Sequence, residues 1–224
     1  MKTEQNNKPQ HQYLTAIVTG ALFLILIVLV RTVDVAPIGP DVTTIGLSHI
    51  NDSVHRFFGV NMIWYDITKY LGAFAIAVAF AVFVIGLYQL ISRKSLKKVD
   101  SEIIALGVLY AVVIALYALF EVIIVNYRPV IMPGDAAPEA SFPSTHTMII
   151  CTVMGSVIML TDRYIKNERL SLIIRLLCTA IIVITVMGRL MSGVHWFTDI
   201  LGGVLISIAL LDVLRGMIAK LSQK

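Results

Sequence analysis

Six stretches without a single Asp, Glu, Lys or Arg constrain this chain more than any other feature. They are 14–30, 70–92, 103–120, 140–161, 176–188 and 200–211. A bilayer core of about 30 Å needs about 20 helical residues. The last two stretches reach that length when their flanks are included. The expected spans lie near 14–31, 68–91, 103–127, 144–161, 171–190 and 196–214. The expected fold class is all-α: a polytopic membrane protein with a six-transmembrane-helix bundle, forming one domain over 13–218. Residues 1–12 are polar and are expected to form a disordered cytoplasmic tail. A hydrophobic share of 58% against 14% charged residues, and a mean hydropathy of +0.85, place the chain with membrane proteins.

Charge sets the expected orientation. Six spans put both termini on one side. Of 18 Lys and Arg residues, all but Arg31, Arg56, Lys69, Arg128 and Arg189 fall on that side. The positive-inside rule then makes the termini cytoplasmic, in a plasma membrane. The net charge of +4 is accounted for by this bias, and no basic patch with interleaved aromatics argues for nucleic acid. The first apolar stretch lacks a clear cleavage site and is expected to remain as an anchor. Cys151 and Cys178 fall within spans and read as small buried residues, not as a disulfide or a metal site.

The exterior segment 32–67 is the longest connection. Asp41 is expected to cap a short helix running to about Phe58. Its stripe of Ile45, Ile50, Val54, Phe57 and Phe58 suits either the membrane surface or the outer end of the bundle. Trp64, Tyr65 and Tyr70 suit an interfacial belt.

Five ionisable residues sit at span ends, where such groups are costly and point to function. Arg128 precedes Pro129, which disfavours helix at the residue before it. Arg128 should therefore stand at the outer membrane edge, with a guanidinium suited to bidentate phosphate binding. Phe142-Pro143-Ser144-Thr145-His146 opens the fourth span. An outward helix N-terminus offers free N–H groups to an anion, Ser144 adds a hydroxyl, and His146 is placed to give a proton. In Arg189-Leu-Met-Ser-Gly-Val-His195-Trp-Phe-Thr-Asp199, Ser192-Gly193 separates the last two spans. His195 and Asp199 are spaced i, i+4 on one helix face. A carboxylate there can hold one imidazole nitrogen as N–H and leave the other as a nucleophile. Singly, these residues also read as a snorkelling arginine, a packed histidine and a structural Asp–His pair. All three motifs falling on one membrane side favours the functional reading.

The motifs resemble those of the type 2 phosphatidic acid phosphatase family, whose pattern is KxxxxxxRP, then PSGH, then SRxxxxxHxxxD. The resemblance implies a metal-independent hydrolase with no cofactor and an extracytoplasmic active site in region 121–199. It implies His195 as the nucleophile, Asp199 as its orienting partner and His146 as the acid. Arg128, Arg189, Ser144 and Thr145 would hold the phosphate. The implied substrate is a lipid phosphate, such as a polyprenyl diphosphate, phosphatidate or phosphatidylglycerol phosphate. Membrane lipids would be further partners, and no oligomeric state is implied. A lipid phosphotransferase with the same phosphohistidine chemistry is the alternative. A non-catalytic lipid-binding or transport protein on a decayed scaffold is the alternative of another class. Three positions depart from the pattern. Thr145 replaces glycine, Gly188 replaces serine, and Glu121 replaces the phosphate-binding lysine. Glu121 is expected to share a helix face with Arg128 and to pair with Arg128 or Arg189. Reception of a cationic substrate group and a specialised enzyme are the other accounts.

Overall fold

The computed structural model describes the backbone of residues 2–221 and the side chains of residues 13–220. Its helices are α1 (Lys2–Thr32), α2 (Ser48–Phe58), α3 (Met62–Arg93), α4 (Ser101–Val122), α5 (Thr145–Tyr164), α6 (Glu168–Ser192) and α7 (Phe197–Leu221). Two short 3-10 turns lie at Pro40–Val42 and Leu96–Lys98. Six helices are long and apolar enough to cross a membrane: Tyr13–Thr32 within α1, then α3 to α7. A helix bonds its own backbone groups, which lipid cannot do. Helical backbone begins at Lys2 and so runs through most of the stretch expected as a disordered tail.

Helix α5 is the centre of the bundle, packed against α3, α4, α6 and α7, while α1 lies along α7. The reason is its composition. Lipid tails are as apolar as leucine, so helices associate through close packing of small and hydroxylated residues. Helix α5 buries Thr147, Thr152, Gly155 and Ser156, and Leu211 of α7 fills the space over Gly155. The outer helices expose large apolar side chains instead, including Ile76 and Phe80 of α3 and Leu176 of α6. Phe23 of α1, Phe120 of α4 and Phe142 form an aromatic cluster, with ring centroids 5.7–6.1 Å apart.

Three expectations change. Asp41 lies in the 3-10 turn and caps nothing, and α2 starts seven residues later at Ser48. Asp34 anchors that start from a distance, accepting from His49 N at 2.8 Å and Ser48 Oγ at 3.0 Å. The His49 N–H is the main reason its carboxyl is held below the usual range. Helix α2 packs on the ends of α6 and α7. Asn51 exchanges hydrogen bonds with Thr198, and His55 Nε2 lies 3.1 Å from the Gly193 carbonyl. Helix α4 stops at Val122, not near Tyr127. Ile123, Ile124 and Val125 are β-branched and lose χ1 freedom in a helix, and Asn126 and Pro129 follow.

Candidate active site

The segment after α4 is extended. Tyr127 pairs with Ala140 in an antiparallel bridge, Arg128 N donates to Glu139 O at 3.0 Å, and Ser141 N donates to Asn126 O at 2.9 Å. Arg31 of α1 holds the Ile124 carbonyl. Glu121 and Arg128 therefore do not share a helix face. This pairing buries Asn126 and Ser141 side by side and leaves Arg128 at a cavity wall. After the cis Phe142–Pro143 bond, α5 begins at Thr145 with no side-chain cap. Its first N–H groups and positive dipole end are thus open to an anion. Ser144 is fully buried and takes a hydrogen bond from Thr147 Oγ1 at 3.0 Å. Its own N–H donates to the Asp199 carbonyl at 2.9 Å, which joins the starts of α5 and α7.

The α6–α7 turn is as tight as the sequence implies. Gly193 has φ +66°, and a Cβ there would sit 2.1 Å from the Gly59 carbonyl. No other residue meets both conditions. Arg189 closes α6, His195 lies in the turn, and Asp199 stands in the first turn of α7. Asp199 Oδ2 accepts from Trp196 N at 2.9 Å, the backward half of a capping box. Trp196 Nε1 donates to the Tyr127 carbonyl at 2.8 Å and ties this turn to the Arg128 segment.

The Asp–His arrangement is not the direct one expected. His195 Nδ1 is 3.8 Å from Asp199 Oδ2, beyond hydrogen-bond reach. Ser141 Oγ sits between them, 3.0 Å from Nδ1 and 2.5 Å from Oδ2. Asn126 Nδ2 donates to Asp199 Oδ1 at 3.0 Å. The carboxylate thus takes three hydrogen bonds from neutral donors in a buried site. The His195 Nε2 atom has no partner among the described residues. Burial pushes the His195 imidazole down to about 4, with the charges of Arg189 and Arg128 acting the same way and Asp199 offsetting part of the fall.

Arg189 is fully buried, and its three guanidinium nitrogens have no hydrogen-bond partner among the described residues. Its Cζ lies 5.2 Å from the centroid of the Tyr65 ring, within cation–π range. Arg128 Nη2 pairs with Glu139 Oε2 at 3.1 Å. Gly188, the residue in place of the family serine, has no room for a side chain. A Cβ would sit 2.7 Å from Thr68 Cγ2 and 3.0 Å from Trp64 Cε3.

A cavity of about 950 Å³ opens beside these groups. Lys69, Glu121, Arg128, Glu139, Thr145 and His146 are among its polar walls, and Ile76, Ala79, Val113 and Val153 among its apolar ones. Lys69 to Ala79 covers about 15 Å of α3, so a polar rim gives way to a greasy slot between α3 and α4. His195 and Arg189 are buried and are not among the residues that line this cavity. Glu121 makes no ion pair with Arg128 or Arg189. Arg128 turns to Glu139 because α4 ends before it. Among the described residues, no three His, Cys, Asp or Glu are grouped to hold a metal.

The model of the PAP2 superfamily matches residues 123–222, the part that carries every motif residue but Glu121. Over this stretch the chain resembles the members of that superfamily. A transmembrane PAP2-type phosphatidylglycerolphosphate phosphatase from Bacillus subtilis has the same fold, with a TM-score of 0.65 at 18% identity. The likeness covers 92% of this chain and 96% of that one. A comparison with curated proteins found no match. The chain is thus a multi-pass membrane protein, and the segment matched by that superfamily's model holds Asn126, Arg128, Ser141, His146, Arg189, His195 and Asp199. Sequence motifs found five of those seven. Ser141 carried a weak signal, as a polar residue beside Pro143 in an otherwise apolar stretch. Asn126 and Lys69 carried none, because only the fold brings them to the site.

Proposed function

We propose that the protein is a lipid phosphate phosphatase acting through a phosphohistidine on His195. Arg189 carries this reading. A buried guanidinium with all its nitrogens unpaired costs on the order of several kcal/mol, and a phosphate is the ligand that would repay it through its fork of five donors. The free Nε2 of His195 belongs to the same group of charges.

His195 Nε2 attacks phosphorus, the P–N bond forms, and the bond from phosphorus to the lipid oxygen breaks. His146 gives its proton to the leaving oxygen. Water then attacks the phosphohistidine, the P–N bond breaks, its electron pair returns to Nε2, and His146 accepts the water proton. Arg128, Arg189, Ser144 and the N–H groups at Thr145 hold the phosphate oxygens. Lys69 supplies a further cation at the rim, where the family takes one from the position of Glu121. The lipid tail lies in the apolar slot, and the phosphate passes the wall of Arg128 and His146 to reach His195. The charge bias of the loops supports a site on the outer leaflet with cytoplasmic termini. The fold neighbour's substrate makes phosphatidylglycerol phosphate a member of the candidate set, with phosphatidate and polyprenyl diphosphates.

The test is phosphate release by detergent-purified protein, in excess chelator, from those three lipids, with His195→Ala alongside. Release by the wild type alone supports the reading. Equal release by both proteins, or none from any lipid, overturns it.

A further inference from the structure

We propose that Ser141 is the positioning residue that couples His195 to Asp199, fixing the ring tautomer and carrying the carboxylate's influence to the nucleophile. The inference rests on the phosphatase reading, and it concerns a residue outside the three motifs.

The argument is a count of hydrogens. Ser141 has one O–H and its oxygen has two lone pairs. Oγ lies 2.5 Å from Asp199 Oδ2 and 3.0 Å from His195 Nδ1. Asp199 already accepts from Trp196 N and Asn126 Nδ2, as an ionised carboxylate does. It has no hydrogen to give, so Ser141 donates to it. Ser141 then offers only a lone pair to His195, and Nδ1 must be the nitrogen that carries hydrogen. The proton is thereby kept off Nε2, the atom without a protein partner. The opposite tautomer would set two oxygens without a hydrogen between them 2.5 Å apart, or require a protonated Asp199 held by two N–H donors.

The same chain stabilises the cationic ring after the P–N bond forms. The ring's Nδ1–H pulls on Ser141 Oγ, whose O–H is polarised by the carboxylate. A direct hydrogen bond between Asp199 and the ring is excluded by the 3.8 Å separation. Ser141 is placed for this by the Ser141 N–Asn126 O hydrogen bond, so Asn126 braces both the serine and the carboxylate.

Two measurements test the proposal. The first is the ¹⁵N spectrum of the His195 imidazole at neutral pH in the wild type and in Ser141→Ala, which reads the tautomer whether or not a substrate is known. The expected result is hydrogen on Nδ1 in the wild type and a mixed or reversed tautomer in the variant. Hydrogen on Nε2 in the wild type, or the same tautomer in both, overturns the proposal and leaves the phosphatase reading untouched. The second is a kinetic cycle of Ser141→Ala, Asp199→Asn and the double variant. Loss of one oriented hydrogen-bonding group at a reacting centre costs roughly 100-fold in kcat. Ser141→Ala should lose about that much with KM little changed. The double variant should be no worse than Asp199→Asn, because the two act in series. Ser141→Thr, which keeps the hydroxyl, should recover most of the rate. Multiplying losses, or a Ser141→Ala rate within two-fold of wild type, would overturn the relay. A wild type that releases no phosphate from any lipid would sink the phosphatase reading, while the tautomer still tests the relay.

Discussion

Gly72 of α3 lies directly against the imidazole of His146. A Cβ built on Gly72 would fall 2.8 Å from Cδ2 and 3.3 Å from Nε2 of that ring. The only residue type without a Cβ is thus what lets the proposed acid stand at the cavity wall. Gly72→Ala should push the ring aside with little effect on the helix, because alanine is the better helix former. Misplacement by about 1 Å can cost roughly 100-fold in rate. The expected outcome is a fall in kcat of that order, with the melting temperature of detergent-purified protein within a few degrees of wild type. An unchanged kcat would show that His146 is not held by α3.

The His195 imidazole is pushed down to about 4, chiefly by burial. A nucleophile must be neutral, so lowering its proton affinity extends activity toward acid. The sign is fixed: the neutral ring is lost as pH falls through about 4, not through the ordinary histidine value of about 6.5. In the free enzyme, kcat/KM should be level for His195 from neutral pH to about 5 and fall below that. A pH profile with its acid limb near 6.5 would place His195 in a solvated or carboxylate-dominated setting.

Lys69 and Glu121 face one cavity from α3 and α4. Lys69 stands three residues before Gly72, on the same helix face, and lines the cavity with His146. A charged hydrogen bond to phosphate contributes about 1.5–3 kcal/mol. Lys69→Gln should therefore raise KM about ten-fold or more with kcat less affected. Glu121→Gln should keep turnover. Glu121→Lys places a cation on α4 at the position where the resembled motif has lysine, and adding it to Lys69→Gln should recover most of the lost affinity. A Lys69→Gln variant with unchanged KM would remove Lys69 from the site.

The bundle was legible because burial in lipid leaves few choices: apolar length gives the spans and Gly193 gives the break between the last two. The five motif residues were legible as candidates because ionisable side chains at the ends of apolar spans stand out, in three short motifs. What stayed hidden depends on contacts between distant segments. Ser141 reaches His195 only because the extended segments 126–128 and 139–141 pair. The expected Asp–His contact followed from i, i+4 spacing, which places two side chains on one face but says nothing about a third group between them. Arg128 and Glu121 failed to share a face for a local reason, the β-branched run 123–125 that ends α4.

Arg189 should show function and stability pulling in opposite directions. Its guanidinium is fully buried with no hydrogen-bond partner among the described residues, and the Tyr65 ring offers it a favourable surface. Replacing buried charges by apolar residues of similar volume is often neutral or stabilising, by about 1–4 kcal/mol. Arg189→Met should therefore melt at or above the wild-type temperature. The same variant loses the fork that would hold the phosphoryl group, so its kcat/KM should fall by roughly 10³-fold or more. Vanadate, an analogue of the phosphoryl group, should raise the wild-type melting temperature, because a ligand bound only to the folded state stabilises it by mass action. It should leave Arg189→Met unchanged. A variant that melts well below wild type would mean that Arg189 has structural partners, and the anion reading of its unpaired nitrogens would fail.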